Sequence, residues 1–81
     1  MTNKEKYETI FLECFGLQPE QVNEKLAYQS VQTWDSAGHM GMIAAIEETF
    51  DIALETDDII EFSSYAAGIE ILRKYKVDIP A

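Results

Sequence analysis

The residues of this chain that carry reactive groups are a serine and a histidine one helical turn apart, a run of carboxylates and a single thiol. Ser36 follows Asp35, and His39 lies three residues further on, a spacing at which helical side chains meet. A serine beside an imidazole is the beginning of a nucleophile and its base. The rest of that machinery is missing from the sequence, which has no second histidine, no matched orienting group and no Gly-x-Ser-x-Gly elbow. A small helical chain also offers little room for an oxyanion hole beside a substrate cleft. His39 is therefore expected to face solvent near a helix N-terminus, and the protein is not expected to be an enzyme. Asp35-Ser36 has two readings of its own. Both residue types cap helices, and the Ser36 hydroxyl is equally suited to carry a phosphate ester, because backbone N–H groups and the helix dipole favour an anion at that position. Local chemistry leaves both open.

The other candidates are weaker. Asp51, Glu55, Asp57, Asp58 and Glu61 lack the Asp-x-Asp-x-Asp-Gly spacing and the closing Glu of a calcium loop. One cysteine and one histidine cannot supply the four ligands of a structural zinc site, so no metal site is expected. Cys14 falls on an apolar helical stripe and is expected to be a buried small hydrophobe rather than a reactive thiol.

Composition narrows the partners. The 81 residues suffice for one domain, and 47% of them are hydrophobic, enough to build a core. Fifteen acids against six Lys and Arg give a formal net charge of −9, which disfavours nucleic acid and anionic membranes, whose binding rests on basic residues. Between residues 34 and 62 the chain has eight acids and no Lys or Arg. Basic protein partners suit such a block. Residues 1–8 are polar and charged, unlike a signal segment, and no apolar run approaches the about 20 residues that cross a bilayer. A cytoplasmic monomer without membrane insertion is the expectation.

Four helices are predicted to position these groups, giving an all-α fold with a short third helix and a long loop between the first two. Tyr7, Ile10, Phe11, Cys14 and Phe15 form one stripe of a helix over residues 3–15. Thr2 and Glu5 suit a capping box at its start, and Gly16 with Leu17 suits a left-handed stop at its end. Residues 17–34 lack sustained periodicity and read as a loop anchored by Val22, Leu26, Tyr28, Val31 and Trp34, with a helical turn near Pro19. The second helix starts at Asp35 or Ser36 and runs to Phe50, with Met40, Ile43, Ile46 and Phe50 assigned to the core and Met42 to the surface. A second face is small: Ala37, Gly41, Ala44 and Glu48 cluster about 80° to 140° around the axis from Ser36, with Glu47 nearby. Gly38 and Gly41 each weaken a helix by about 1 kcal/mol relative to Ala, so each calls for close approach by another backbone or a partner. Thr56 is predicted to cap a short third helix with Asp57 and Asp58 in its first turn and Ile59, Ile60 and Phe62 as apolar anchors. Ser63-Ser64 caps the last helix, whose stripe is Tyr65, Gly68, Ile69 and Leu72.

In this order the features resemble the acyl carrier protein family. The matching residues are Trp34-Asp35-Ser36, then Met40, Ile43, Ile46, Glu47, Glu48 and Phe50, then Asp57-Asp58-Ile59, and finally Ile69 and Leu72, with no gap needed between Ser36 and Leu72. The resemblance covers residues 5–75. It implies a four-helix bundle of acyl-carrier type, a single phosphopantetheine-attachment domain over residues 1–81, in which Ser36 is esterified by 4′-phosphopantetheine and the arm's thiol carries an acyl group as a thioester. Asp35 would belong to the motif and cap the helix. Ala37, Gly41, Ala44, Glu47 and Glu48 would face a phosphopantetheinyl transferase and acyl-loading or acyl-transferring enzymes with basic docking surfaces, in a fatty-acid, lipid, polyketide or specialised pathway. The family usually has Leu after Asp-Ser, where this chain has Ala37, which bears on which partners recognise it. The Trp-Asp-Ser-x-Gly-His-Met wording is closer to carriers of specialised or surface-polysaccharide pathways than to the housekeeping fatty-acid carrier. The alternatives are an aminoacyl carrier, of D-alanyl or peptidyl type, and, from another class, an acidic helical adaptor in which Ser36 is only a cap.

Overall fold

The computed structural model describes residues 2–79. Its first helix, α1 (Asn3–Phe15), begins with the expected reciprocal cap: Glu5 N–H donates to Thr2 Oγ1 at 3.1 Å and Thr2 N–H to Glu5 Oε1 at 3.0 Å. Two otherwise orphaned donors are thereby satisfied. At the other end Gly16 takes the left-handed conformation, φ 63°, that glycine reaches without a steric cost. Tyr7, Ile10, Phe11 and Phe15 are buried. Cys14, expected to join them, is exposed: it lies in the last turn, where the inward direction is that of Phe15, stacked on Trp34 at 5.2 Å, and Cys14 is turned about 100° around the axis from Phe15.

The connection to the second helix contains one turn of 3₁₀ helix, Pro19–Gln21, and is held down by its own side chains. Val22, Leu26 and Trp34 are buried. Backbone bonds tie the loop to the entrance of the last helix: Tyr28 N–H donates to Ser63 O at 2.9 Å, and Tyr65 N–H donates to Leu26 O at 2.9 Å. Of the five expected anchors, Tyr28 is the exception, with its side chain at the surface.

Helix α2 (Ser36–Phe50) is capped by Asp35, whose Oδ1 accepts from Gly38 N–H at 2.8 Å. Its buried residues are Met42, Ile43 and Ile46, while Met40 is 54% exposed, so the expected roles of Met40 and Met42 are exchanged. Counting about 100° per residue from Ser36, the buried arc runs from Met42 near 240° to Ile43 near 340°, leaving Met40 near 40° outside it. Gly38 is a packing residue: a Cβ there would collide with the Thr33 carbonyl, whereas nothing lies within 4 Å of the corresponding position at Gly41.

Helix α3 (Thr56–Glu61) starts one residue earlier than predicted, with Glu55 as N-cap and Thr56 already helical. Of its expected apolar anchors only the following Phe62 is fully buried; Ile60 is 72% exposed. The buried side chain of α3 is Asp58, which accepts from Lys74 Nζ at 2.5 Å and from the Tyr75 hydroxyl. The block of eight acids is therefore not uniformly uncompensated. Helix α4 (Tyr65–Lys74) is capped by Ser64, whose Oγ accepts from Ala67 N–H at 3.0 Å, and buries Tyr65, Gly68, Ile69, Ile71 and Leu72. A Cβ on Gly68 would fall on the Phe62 ring and the Tyr7 hydroxyl. Beyond α4, Val77 and Ile79 are buried as well, and Arg73 Nη2 donates to Ile79 O at 3.0 Å. Among the described residues there is no strand, only an isolated bridge between Ala27 and Ser64, and no helix long and apolar enough to cross a membrane.

Candidate functional site

The Asp35 cap determines what Ser36 is free to do. Asp35 has extended backbone, φ −108° and ψ −168°, and its side chain takes the capping role. Ser36 is then the first helical residue, exposed, and its hydroxyl is not needed for the cap. Its Oγ lies 3.2 Å from the Tyr28 hydroxyl. Three positions along α2 on its neighbouring face, Ala37, Gly41 and Ala44, are exposed, as is Glu48 beyond them, so the small face predicted for partner contact is at the surface.

His39 does not face solvent as expected. Trp34 Nε1–H, 2.9 Å from His39 Nδ1, can only donate, so Nδ1 accepts and the imidazole proton sits on Nε2. Nε2–H then donates to the Ile59 carbonyl at 2.8 Å. The ring is stacked on Trp34 at 6.2 Å and meets the Phe62 ring edge-on at 6.3 Å. Part-buried, His39 ties the end of the long loop to α2 and to α3. Both ring nitrogens are engaged, and the Ser36–His39 pair of a nucleophile and base is not formed.

Between α2 and α3 a groove of about 280 Å³ opens beside Ser36. Tyr28, Ser36 and Ser63 give one part of its lining hydroxyls, and Met40, Ile59, Ile60 and Phe62 give the rest an apolar surface, with His39 between. The expected core roles of Met40 and Ile60 go wrong for the same reason: both side chains line this groove. Tyr28 and His39 are site residues that sequence reasoning did not assign. The signal available for them was weak, a large aromatic in a loop otherwise poor in apolar residues and a histidine five residues after a tryptophan.

The acids divide by role. Glu47, expected on the partner surface, is half-buried and its Oε2 accepts from Leu54 N–H at 2.8 Å, so it closes the chain reversal after α2. Glu48 is exposed and forms no ion pair among the described residues. Hydrogen bonds from Lys74 and then Tyr75 hold the Asp58 carboxyl below its ordinary range. The Cys14 thiol is pushed up from its ordinary value by partial desolvation and by the adjacent Glu13 charge, the opposite of activation. No group of three or more His, Cys, Asp and Glu side chains among the described residues is arranged to hold a metal ion.

A prosthetic arm esterified to Ser36 fits this arrangement. The hydroxyl is exposed, the helix positions beside it are small, and Ser36 lines one end of the groove. No known family model matches the chain, and no curated protein matches it at a significant level.

Proposed function

We propose that this protein is an acyl carrier: a non-enzymatic domain that holds an acyl group on a 4′-phosphopantetheine arm at Ser36 and presents it to partner enzymes. The observation that carries the reading is the exposed Ser36 hydroxyl at the start of α2, not needed for capping because Asp35 takes that role, and opening onto an apolar groove. When bound, the arm supplies a thiol that bears the cargo as a thioester. The chain's own residues do the rest. Asp35 holds the first turn of α2 in place around Ser36, and the exposed Ala37, Gly41 and Ala44 let a partner approach the helix closely. Glu48 offers that partner a negative charge to pair with, a contact that favours encounter more than final affinity. The carrier reading also accounts for the absence of a base beside Ser36: the serine is a point of attachment, and the chemistry belongs to the enzymes that visit it.

Incubation with a broad-specificity phosphopantetheinyl transferase and coenzyme A tests this by intact mass. The expected outcome is one added phosphopantetheine on the wild type and none on Ser36→Ala, whose circular dichroism stays that of the wild type because the Asp35 cap is untouched. A wild type that takes up no arm, or a Ser36→Ala protein that still does, overturns the reading and leaves the acidic adaptor in its place.

A further inference from the structure

Tyr28 is held firmly yet serves no evident structural need at its tip. The residue is 37% exposed, and among the described residues its hydroxyl has one hydrogen-bond partner, Ser36 Oγ at 3.2 Å. The backbone behind that hydroxyl is tied at two points. Tyr28 N–H is bonded to Ser63 O at 2.9 Å, and Gln29 adopts φ 65°, a left-handed conformation uncommon for a residue other than glycine, with its N–H on Trp34 O at 3.0 Å. The Tyr28 ring stands edge-on to His39 at 5.8 Å, and His39 is itself tied at both nitrogens. A phenol placed by a constrained loop and a doubly tied imidazole is a preorganised donor.

We propose that Tyr28 is a positioning residue for the arm: once Ser36 is esterified, the Tyr28 hydroxyl donates to the phosphodiester and directs the arm across the groove toward Met40 and Ile60. This rests on the carrier reading of Ser36. Before modification the two hydroxyls are interchangeable as donor and acceptor. Afterwards Ser36 Oγ has no proton, the phosphodiester is anionic and can only accept, and the phenol becomes the donor in a charge-assisted bond. No Lys or Arg lines the groove, and the His39 Nε2–H is already bonded to Ile59 O, so the side-chain donors left among its lining residues besides Ser36 are the hydroxyls of Tyr28 and Ser63. Only Tyr28 is within hydrogen-bond reach of the attachment atom. Turned toward the opposite side, the arm would run along the exposed Ala37 and Gly41 face, where nothing lies within 4 Å of a Cβ at Gly41.

The test uses the full chain loaded with the arm, in wild-type, Tyr28→Phe, Tyr28→Ala and Ser63→Ala forms, with loading verified by mass. The readouts are the ³¹P resonance of the phosphodiester, referenced to the same loaded protein in urea, and nuclear Overhauser contacts from the arm to the Met40 and Ile60 methyls. Tyr28→Phe keeps the ring against His39 and loses only the hydroxyl. Its ³¹P resonance is expected to move toward the unfolded reference and its arm contacts to disappear, as in Tyr28→Ala, while Ser63→Ala matches the wild type. A Tyr28→Phe protein with the wild-type resonance and contacts overturns the proposal, as does a change confined to Tyr28→Ala, which would make the ring alone responsible, or one confined to Ser63→Ala. These results leave the carrier reading standing. A wild type that does not load at Ser36 overturns both.

Discussion

Two regions of this molecule use large apolar side chains in opposite ways. Where α1, α4 and the end of the long loop meet, Tyr7, Phe11, Phe15, Trp34, Phe62 and Tyr65 are buried and form a continuous aromatic seam, with Phe11 within 4.9 to 5.8 Å of Tyr7, Phe15, Trp34 and Tyr65. Its few polar atoms are satisfied: the Tyr7 hydroxyl donates to Tyr65 O at 2.7 Å, and the Tyr65 hydroxyl to Glu8 at 2.7 Å. Burial pushes both tyrosines well above the ordinary phenol range, so each stays a neutral donor. Between α2 and α3, by contrast, Met40 and Ile60 stand more than half exposed around a groove. The seam is explained by the stability it confers. The groove is not, because exposed apolar surface contributes little to folding, and its residues are better accounted for by what they meet at the surface.

Substituting equivalent residues in the two regions sharpens the contrast most. Phe11→Ala leaves a cavity in the seam and is expected to cost about 3–5 kcal/mol, whereas Ile60→Ala should stay within about 0.5 kcal/mol. Urea denaturation of the pair checks this. An Ile60→Ala protein as unstable as Phe11→Ala would make the groove part of the core and erase the distinction.

Glycines give a second comparison of smaller size and opposite sign. Gly68→Ala pushes a methyl into the Phe62 ring and the Tyr7 hydroxyl, and overpacking of that kind costs about 1–3 kcal/mol despite the better helix propensity of alanine. Gly41→Ala meets open space and should stabilise the helix by about 0.5–1 kcal/mol. Melting temperatures are expected to fall for the first and rise for the second. Two shifts of the same sign would mean that the close approach at Gly68 relaxes or that Gly41 is covered.

The smallest expected effect lies at the link between α3 and α4. Asp58 is held below its ordinary range by Lys74 and Tyr75, so the stability it lends is present above the ordinary carboxylate value, about 4, and is lost as the pH falls through its lowered value in the folded state. Lys74 is held above its ordinary range by the Asp58 hydrogen bond, so its share is complete below about pH 10 and fades as the pH rises beyond its folded value. Melting temperature followed from about pH 6 down to about pH 2 should fall less steeply for Asp58→Asn than for the wild type. Parallel curves would show that Asp58 is not the carboxylate responsible.

The helices and their ends were legible because each is specified by residues three or four apart. Thr2 with Glu5, Asp35 with Gly38 and Ser64 with Ala67 make their capping bonds within one turn, and Gly16 stops α1 through its own φ. Contacts of that range are written in the order of the residues. The Thr56 cap slipped by one position for the complementary reason: Glu55 is the observed N-cap and makes no side-chain capping bond, so α3 begins without a local marker.

Ser36 was legible as a candidate from its place after Asp35, and it is the exposed first residue of α2. The tertiary ties were not legible. Beside Ser36, His39 is bonded to a carbonyl 20 residues away, and elsewhere Glu47 turns back to Leu54 and Asp58 pairs with Lys74 across 16 residues. The order of residues by itself determined the helices, the caps of α1, α2 and α4, the acidic middle of the chain and the serine. Tertiary structure alone decided which arc of α2 faces inward, and with it the exchange of Met40 for Met42, the exposure of Cys14 and Ile60, and the groove. A periodic pattern specifies that a helix has an apolar side, but the boundary of that side is drawn by whichever neighbours pack against it, here Trp34 and Phe62 against the His39 ring.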